Sequence, residues 1–172
     1  MPLLSGLRVT HSSIHGYGVV TTQRFAKGDR LVEGDGVRYE ATAEFDDTYA
    51  LVLPGTGPDG EDDADLPLQY FDLIDQTRWI NHACTPNTEI DSRFDLELGR
   101  LRAWWTATRD LEIGEELTYD YGFPGEIAER CACGSPGCRG LIVDDDPAEL
   151  AQIPAALRPF LRSPVDPIQA TG

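Results

Sequence analysis

Lysine is almost missing from this chain of 172 residues: Lys27 stands alone against thirteen arginines. Chemistry on lysine amines, if the chain performs any, acts mainly on another molecule. Basic charge is scarce altogether, with 14 Lys and Arg against 30 Asp and Glu and a formal net charge of -16. Such a field repels phosphate backbones, which argues against direct binding of DNA or RNA and favours a basic peptide or protein partner. Much of the same charge also serves solubility. No apolar run reaches the roughly 18 residues that suggest a membrane-spanning helix, so no membrane partner is expected. The start, Met1-Pro2-Leu3-Leu4-Ser5-Gly6-Leu7-Arg8, lacks the features of a secretory signal. The expected compartment is therefore the cytoplasm, with a nuclear destination left open. A chain this long can bury roughly two thirds of its surface and does not need disulfides to fold. Its four cysteines, in a reducing compartment, point to metal before disulfide.

What is present reads as mainly β. From residue 7 to about 53 short apolar bursts (Val9, Val19-Val20, Leu31-Val32, Val37 to Tyr39, Tyr49 to Leu53) are separated by Gly and Asp punctuation, the pattern of short strands and turns. Residues 101 to 107 and 116 to 121 give two more strands. Residues 54 to 67 show no apolar period and read as an exposed acidic loop, either simply solvated or a clamp for a positive substrate. Near the C-terminus Asp146-Pro147 has the form of a helix N-cap and first helical position, while Pro154 and Pro159 cut the remaining apolar pattern into short helical turns. Residues 144–172 are expected to be a partly mobile appendage.

Two segments are dense in chemistry. Cys131-Ala132-Cys133-Gly134-Ser135-Pro136-Gly137-Cys138 is a C-x-C-x4-C knuckle that supplies three of the four ligands of a tetrahedral zinc, and Cys84 is the obvious fourth. Iron–sulfur ligation is the alternative metal, with an unusual spacing. The run Arg78-Trp79-Ile80-Asn81-His82-Ala83-Cys84-Thr85-Pro86-Asn87 packs amides, an imidazole and a thiol into a few residues, which is costly to bury unless each is satisfied. Taken singly, His82 is a hydrogen-bonded core histidine, Asn81 and Asn87 are turn formers, and His15-Gly16-Tyr17-Gly18 is a tight turn.

Together the segments say more. Gly16-Tyr17-Gly18-Val19, then Phe25-Ala26-Lys27-Gly28-Asp29, then Asn81 to Asn87, then Glu116-Leu117-Thr118-Tyr119-Asp120-Tyr121-Gly122-Phe123, then the knuckle, resemble in order and content a SET-domain protein-lysine methyltransferase with a post-SET zinc motif. The ending resembles the trithorax-type branch. The resemblance divides the chain into a SET domain at 6–124, a post-SET zinc segment at 125–143 and the appendage at 144–172. It implies a β-clip fold in which a later strand threads the Asn81 to Asn87 segment into a pseudoknot, a rare exception to the unthreaded-chain rule. Residues 71 to 77 lack the Gly-Asn step usual in eukaryotic members, and no cysteine-rich segment precedes the domain.

The resemblance also implies S-adenosylmethionine as cofactor, held by His15, Gly16, Tyr17, Tyr49, Arg78, Asn81, His82 and Tyr121, with Phe123 or Leu141 covering the adenine. Zinc would be held by Cys84, Cys131, Cys133 and Cys138. Tyr121 matches the catalytic tyrosine, and Tyr119, on the same face two residues earlier, matches the position where a hydroxyl favours mono- or dimethylation over trimethylation. The chemistry is coherent: keeping a lysine of pKa about 10.4 neutral at pH 7 costs about 4.6 kcal/mol, and a dry aromatic channel beside a positive sulfonium lowers that pKa. The substrate is expected to be a basic protein or peptide carrying the target lysine, histone or other. A catalytically silent module that binds a basic partner is the alternative. A zinc-stabilised interaction domain is the third reading.

Overall fold

The computed structural model describes residues 5–40, 42–63 and 65–162. The first residues of the chain, and the tail expectation beyond Arg162, lie outside them. Strand takes up 38% of the structure against 10% helix, so the mainly β expectation holds. In chain order the strands are β1 Leu7–His11, β2 Tyr17–Thr21, β3 Arg30–Gly34, β4 Gly36–Glu40, β5 Ala50–Leu53, β6 Gly55–Thr56, β7 Asp62–Asp63, β8 Gln69–Leu73, β9 Asn81–His82, β10 Thr88–Asp95, β11 Arg100–Ala107, β12 Thr118–Tyr119, β13 Glu129–Arg130 and β14 Leu141–Ile142. Among the described residues one α-helix, α1 Pro147–Gln152, comes after them.

The strands form small separate sheets. β1 and β2 make a hairpin, β4-β8-β5 and β10-β11-β3 are three-stranded antiparallel sheets, and β12 pairs in parallel with β9. β8 and β10 were not foreseen, yet both alternate inward and outward positions: Gln69, Phe71 and Leu73 are buried on β8, and Thr88, Ile90 and Phe94 are less exposed than Glu89, Asp91 and Arg93 on β10. Their polar residues mask the period. Gln69 is buried because its amide donates to Pro54 O and Thr56 Oγ1 while its carbonyl accepts from Arg38 Nε.

The expected loop at 54 to 67 is partly ordered. β6 and β7 pair, Asp62 accepts from Ser92, Glu61 pairs with Arg93, and Phe94 N–H donates to Gly60 O, so this hairpin covers the free edge of β10. An uncovered edge would invite another chain.

The main core gathers Val19, Leu31, Leu51, Phe71, Leu73, Ile80, Leu101, Leu111 and Leu117 around Trp105, which has no exposed surface. Full burial of one such side chain contributes about 1.5–3 kcal/mol. Gly34 lets Trp105 in, since a Cβ there would come within 3.0 Å of the indole, Leu73 and Thr77. Lys27 sits in the turn after β2, its N–H bonded to Asp110.

Segment 116 to 119 runs between two parts of the chain that precede it by far. On one side Leu117 N–H donates to Val19 O and Glu116 bridges Val20; on the other Thr118 and Tyr119 pair with Asn81 and His82. Asn87 stands in for a strand here: its Oδ1 accepts from Thr118 N–H and its Nδ2 donates to Glu116 O, both at 2.9 Å. This is the crossing expected of the pseudoknot.

The stretch expected to be an appendage is, over residues 144 to 162, part of a second core. Ala128, Leu141, Val143 and Ile153 are buried together, flanked by Leu150 and Leu157. Asp146 caps α1 and Pro147 opens it, as the sequence indicates. A Cβ on Gly125 would strike Glu149 O and one on Gly140 would strike Phe160 O, so both glycines let the tail lie against the knuckle segment.

Candidate active site and metal centre

The loop between β1 and β2 is closed by Ser12, whose N–H donates to Gly16 O and whose hydroxyl accepts from Ile14 N–H. Gly16 adopts a φ of 50°, the left-handed region that favours glycine. Asn81 pins this loop: its Nδ2 donates to His15 O, Tyr17 O and Glu116 Oε1 at 3.2, 2.8 and 2.8 Å. Its amide is thus spent on shaping the loop that carries His15, Gly16 and Tyr17. Glu116, which sequence reasoning left without a role, also accepts from Ser12 Oγ at 2.7 Å. Gly18 is required beside it, because a Cβ there would run into the Glu116 carboxylate.

Beyond the loop lies an aromatic cluster. Tyr17 tilts against Trp79, Tyr49 meets Trp79 edge-on, and the Arg78 guanidinium lies 4.0 Å over the Tyr49 ring. Arg78 Nε is buried without a hydrogen-bond partner among the described residues. A spare cationic donor on a ring is what the carboxylate of an amino-acid-like ligand would satisfy. Tyr17, His15 and Gly16 are exposed at the rim.

A second cluster is built by the chain after β12. Tyr119 and Tyr121 have ring centroids 4.6 Å apart, with Trp105 edge-on to Tyr119, and His82 and Phe123 against Tyr121. Tyr121 OH donates to Ile80 O at 3.1 Å. Its proton is occupied there, and its lone pairs are left to accept. Burial pushes the Tyr121 phenol up to about 12, with the Tyr49 phenol and Glu116 acting in the same direction, and burial holds Tyr119 well above its ordinary value. Both are neutral hydroxyls at physiological pH.

His82 joins this cluster to the cysteines. Its Nδ1 accepts from Tyr121 N–H at 3.2 Å, so the neutral ring carries its proton on Nε2, which faces Cys84 Sγ at 3.3 Å. Desolvation lowers its pKa to about 4, with Arg139 helping and Asp120 opposing.

Cys84 Sγ and Cys131 Sγ lie 3.7 Å apart. Two thiolates on one tetrahedral zinc, each about 2.3 Å from it, stand about 3.8 Å apart. The donor set that converges within 4.8 Å is His82, Cys84, Cys131 and Cys133, a cluster able to hold a metal. It departs from the sequence expectation by one member: Cys138 stands outside, and His82 is inside. Cys138 still closes the knuckle, accepting from Gly140 N–H at 3.4 Å as Cys131 accepts from Cys133 N–H. Such donors favour thiolate. At Cys133, burial, which opposes ionisation, is outweighed by hydrogen bonds from the Cys84 backbone and Ser135, and the thiol falls to about 6, whereas burial pushes Cys84 up to about 11.

Of the two side chains expected at the adenine, Leu141 is packed inward. Its side chain is fully buried in the second core and offers no surface to a ligand. Phe123, half-buried beside Tyr121, remains available.

The SET domain family model matches residues 16–122, well over half of the chain. This chain belongs to the SET-domain family. Histone-lysine N-methyltransferases described as H3 lysine-4 specific are similar to it: that of Yarrowia lipolytica is 30% identical over 141 residues, covering 79% of this chain and 12% of the relative, and that of Schizosaccharomyces pombe is 32% identical over 134 residues, covering 76% and 14%. A histone-lysine N-methyltransferase of Dictyostelium discoideum is 31% identical over 137 residues, covering 77% of this SET-domain chain and 9% of the relative. The chain therefore spans less than a sixth of the length of these curated relatives.

Sequence reasoning missed three groups in the SET site. Glu116 and Asp120 stand inside the quoted motif but look like solvated strand acids, and Arg139 comes right after the last cysteine with no apparent period. Only the fold shows Arg139 buried on Asp120, and Glu116 and Asp120, both partly buried, engaged by Asn81, Ser12 and Arg139.

Proposed function

We propose that this SET domain is a protein-lysine N-methyltransferase that uses S-adenosylmethionine, with a zinc-bound knuckle completing the site. The observation that carries the reading is Tyr121: a neutral hydroxyl in an aromatic pocket, its proton held by Ile80 O and its lone pairs free. The cofactor supplies, when bound, an electrophilic methyl carbon on a positively charged sulfur. Arg78 and Tyr49 would hold its amino-acid end, the pinned loop of His15, Gly16 and Tyr17 would flank it, and Phe123 would cover its adenine. His82 and Asn81 shape the site from behind.

The chain's own residues then do three things. Tyr119, Tyr121 and Phe123, the first backed by Trp105 from the core, exclude water from the incoming lysine side chain, which lowers the pKa of its amine. Tyr121 Oη accepts a hydrogen bond from that amine and orients its lone pair for in-line attack. Neither tyrosine serves as a general base, so the lysine proton leaves to solvent before transfer. The Tyr119 hydroxyl occupies room beside the amine and favours mono- or dimethylation.

For the metal, zinc in a four-cysteine set with His82 outside it is the arrangement we favour. With Nδ1 committed to Tyr121 N–H, His82 donates from Nε2 to Cys84 and has no lone pair to give a metal. Cys138 then supplies the fourth thiolate. The substrate is a basic protein segment carrying the lysine, in keeping with the acidic surface and with the histone specificity that the relatives' names state.

The test is transfer of labelled methyl from S-adenosylmethionine to core histones and, separately, to a cell lysate, with Tyr121→Phe as control. Label on particular proteins that falls about 100-fold or more in the variant is expected. Zinc-loaded, folded protein that labels nothing overturns the reading and leaves a silent binding module.

A further inference from the structure

We propose that Arg139 and Asp120 form a latch through which the cysteine knuckle sets the position of Tyr121, making both of them positioning residues; the inference rests on the methyltransferase reading above. Arg139 lies between Cys138 and Gly140 and is only 8% exposed. Its two terminal nitrogens donate to the two oxygens of Asp120, both at 2.7 Å. Asp120 stands between Tyr119 and Tyr121. Its Oδ1 also accepts from Gly122 N–H at 3.2 Å, where φ is 55°, so one carboxylate fixes the turn that carries Tyr121.

The fork matters for its geometry. A planar guanidinium gripping a carboxylate through two parallel bonds allows one mutual orientation, which a point charge does not. Any shift of the knuckle is therefore handed to the Tyr121 turn. A second connection runs alongside it, from Cys84 through the His82 ring to Tyr121 N–H. The knuckle end is itself held from outside, since Arg162 N–H donates to Arg139 O at 2.7 Å and Phe160 closes over Gly140. A pair with one end buried and the other partly exposed is a poor source of net stability, because desolvation of Arg139 offsets the attraction and solvent screens Asp120. Its placement between the knuckle and the tyrosine turn is better explained by orientation.

The test uses the zinc-loaded full chain with Arg139→Lys, Arg139→Gln and Asp120→Asn. Zinc content, affinity for S-adenosylhomocysteine, kcat and KM for a methylatable peptide, and hydrogen exchange over residues 118 to 123 are measured for each. We expect zinc to be retained, cofactor affinity to stay within about threefold, exchange at 118 to 123 to speed up, and kcat to fall about 10- to 100-fold without a matching change in KM. Arg139→Lys should resemble Arg139→Gln, since it keeps the charge and loses the fork. Unchanged exchange and kcat overturn the latch, as does a fall in kcat that only tracks lost zinc or cofactor. If Arg139→Gln does not fold, Asp120→Asn, at the more exposed end of the pair, decides by the same criteria. Should the parent chain transfer no methyl at all, the enzymatic reading falls, and faster or unchanged exchange in the variants still decides whether the latch exists.

Discussion

Tyr119 and Tyr121 are two residues apart, and their surroundings give them separate tasks. Tyr121 has its proton fixed on Ile80 O and its ionisation pushed up to about 12 by burial, so the phenol stays neutral through the working range. The rise of kcat with pH should then report the substrate amine, and no limb from Tyr121 ionisation should appear below about pH 10 in a pH–rate profile. A limb that disappears in Tyr121→Phe while activity survives would contradict this. Tyr119→Phe should raise the highest methylation state seen by mass spectrometry of the product peptide, since one hydroxyl leaves the space beside the amine. An unchanged product distribution would sink the assignment. At Gly18 an added methyl would displace the Glu116 carboxylate from Ser12 and Asn81. Gly18→Ala should cost about 1–3 kcal/mol of stability and weaken cofactor binding, both measurable by thermal denaturation with and without S-adenosylhomocysteine. The motif around these residues was legible in the sequence, but the tasks inside it were not. Asn81 and Asn87 read as turn formers because their amides do resemble peptide groups. The structure uses that same likeness to tie distant strands together.

Among the elements, β3 and β11 are joined across the sheet by a two-pronged pair, Arg102 to Glu33, with both bonds at 2.7 Å. Arg102 holds the Glu33 carboxyl below its ordinary value, aided by Arg30 and Arg100 and opposed by burial. A carboxyl with a depressed folded pKa binds fewer protons folded than unfolded, so its contribution is complete above the unfolded pKa and is lost as pH falls through the folded one. Glu33→Gln should therefore lower stability at neutral pH only modestly, because solvent screens the pair, with the gap closing in acid denaturation scans below about pH 4. A gap that persists in acid would mean that the side chain acts by packing. The strands that alternate in plain apolar letters were visible from the sequence. β8 and β10 were hidden because Gln69, Thr88 and Ser92 take inward positions that only their partners make acceptable. The segment 144 to 162 misled for the opposite reason: its few apolar residues are too short a pattern to announce a core, and they complete one only against Ala128, Leu141 and Val143.

At the scale of the molecule, two cores meet different dependencies. The one around Trp105 contains no cysteine, whereas the one around Leu141 grows out of a knuckle whose Cys131 and Cys133 converge with Cys84 and His82. Structural zinc sites are worth about 10–16 kcal/mol in zinc-finger peptides at neutral pH, so the second core should depend on the ion. Chelation, or Cys133→Ser, should abolish methyl transfer and raise hydrogen exchange over residues 125 to 160 while the Trp105 sheet stays protected. Full activity in demonstrably metal-free protein would refute this. The crossing of segment 116 to 119 has a consequence in time. Its two neighbours, Val19-Val20 and Asn81-His82, come far earlier in the chain, so they can form only an open slot until the last strand arrives. Contacts of such separation are slow to close. A chain cut in the turn between Ala107 and Glu116 thus becomes a receptor and its missing key, and the rate at which the two halves recombine would measure how long the uncut chain waits with its slot empty.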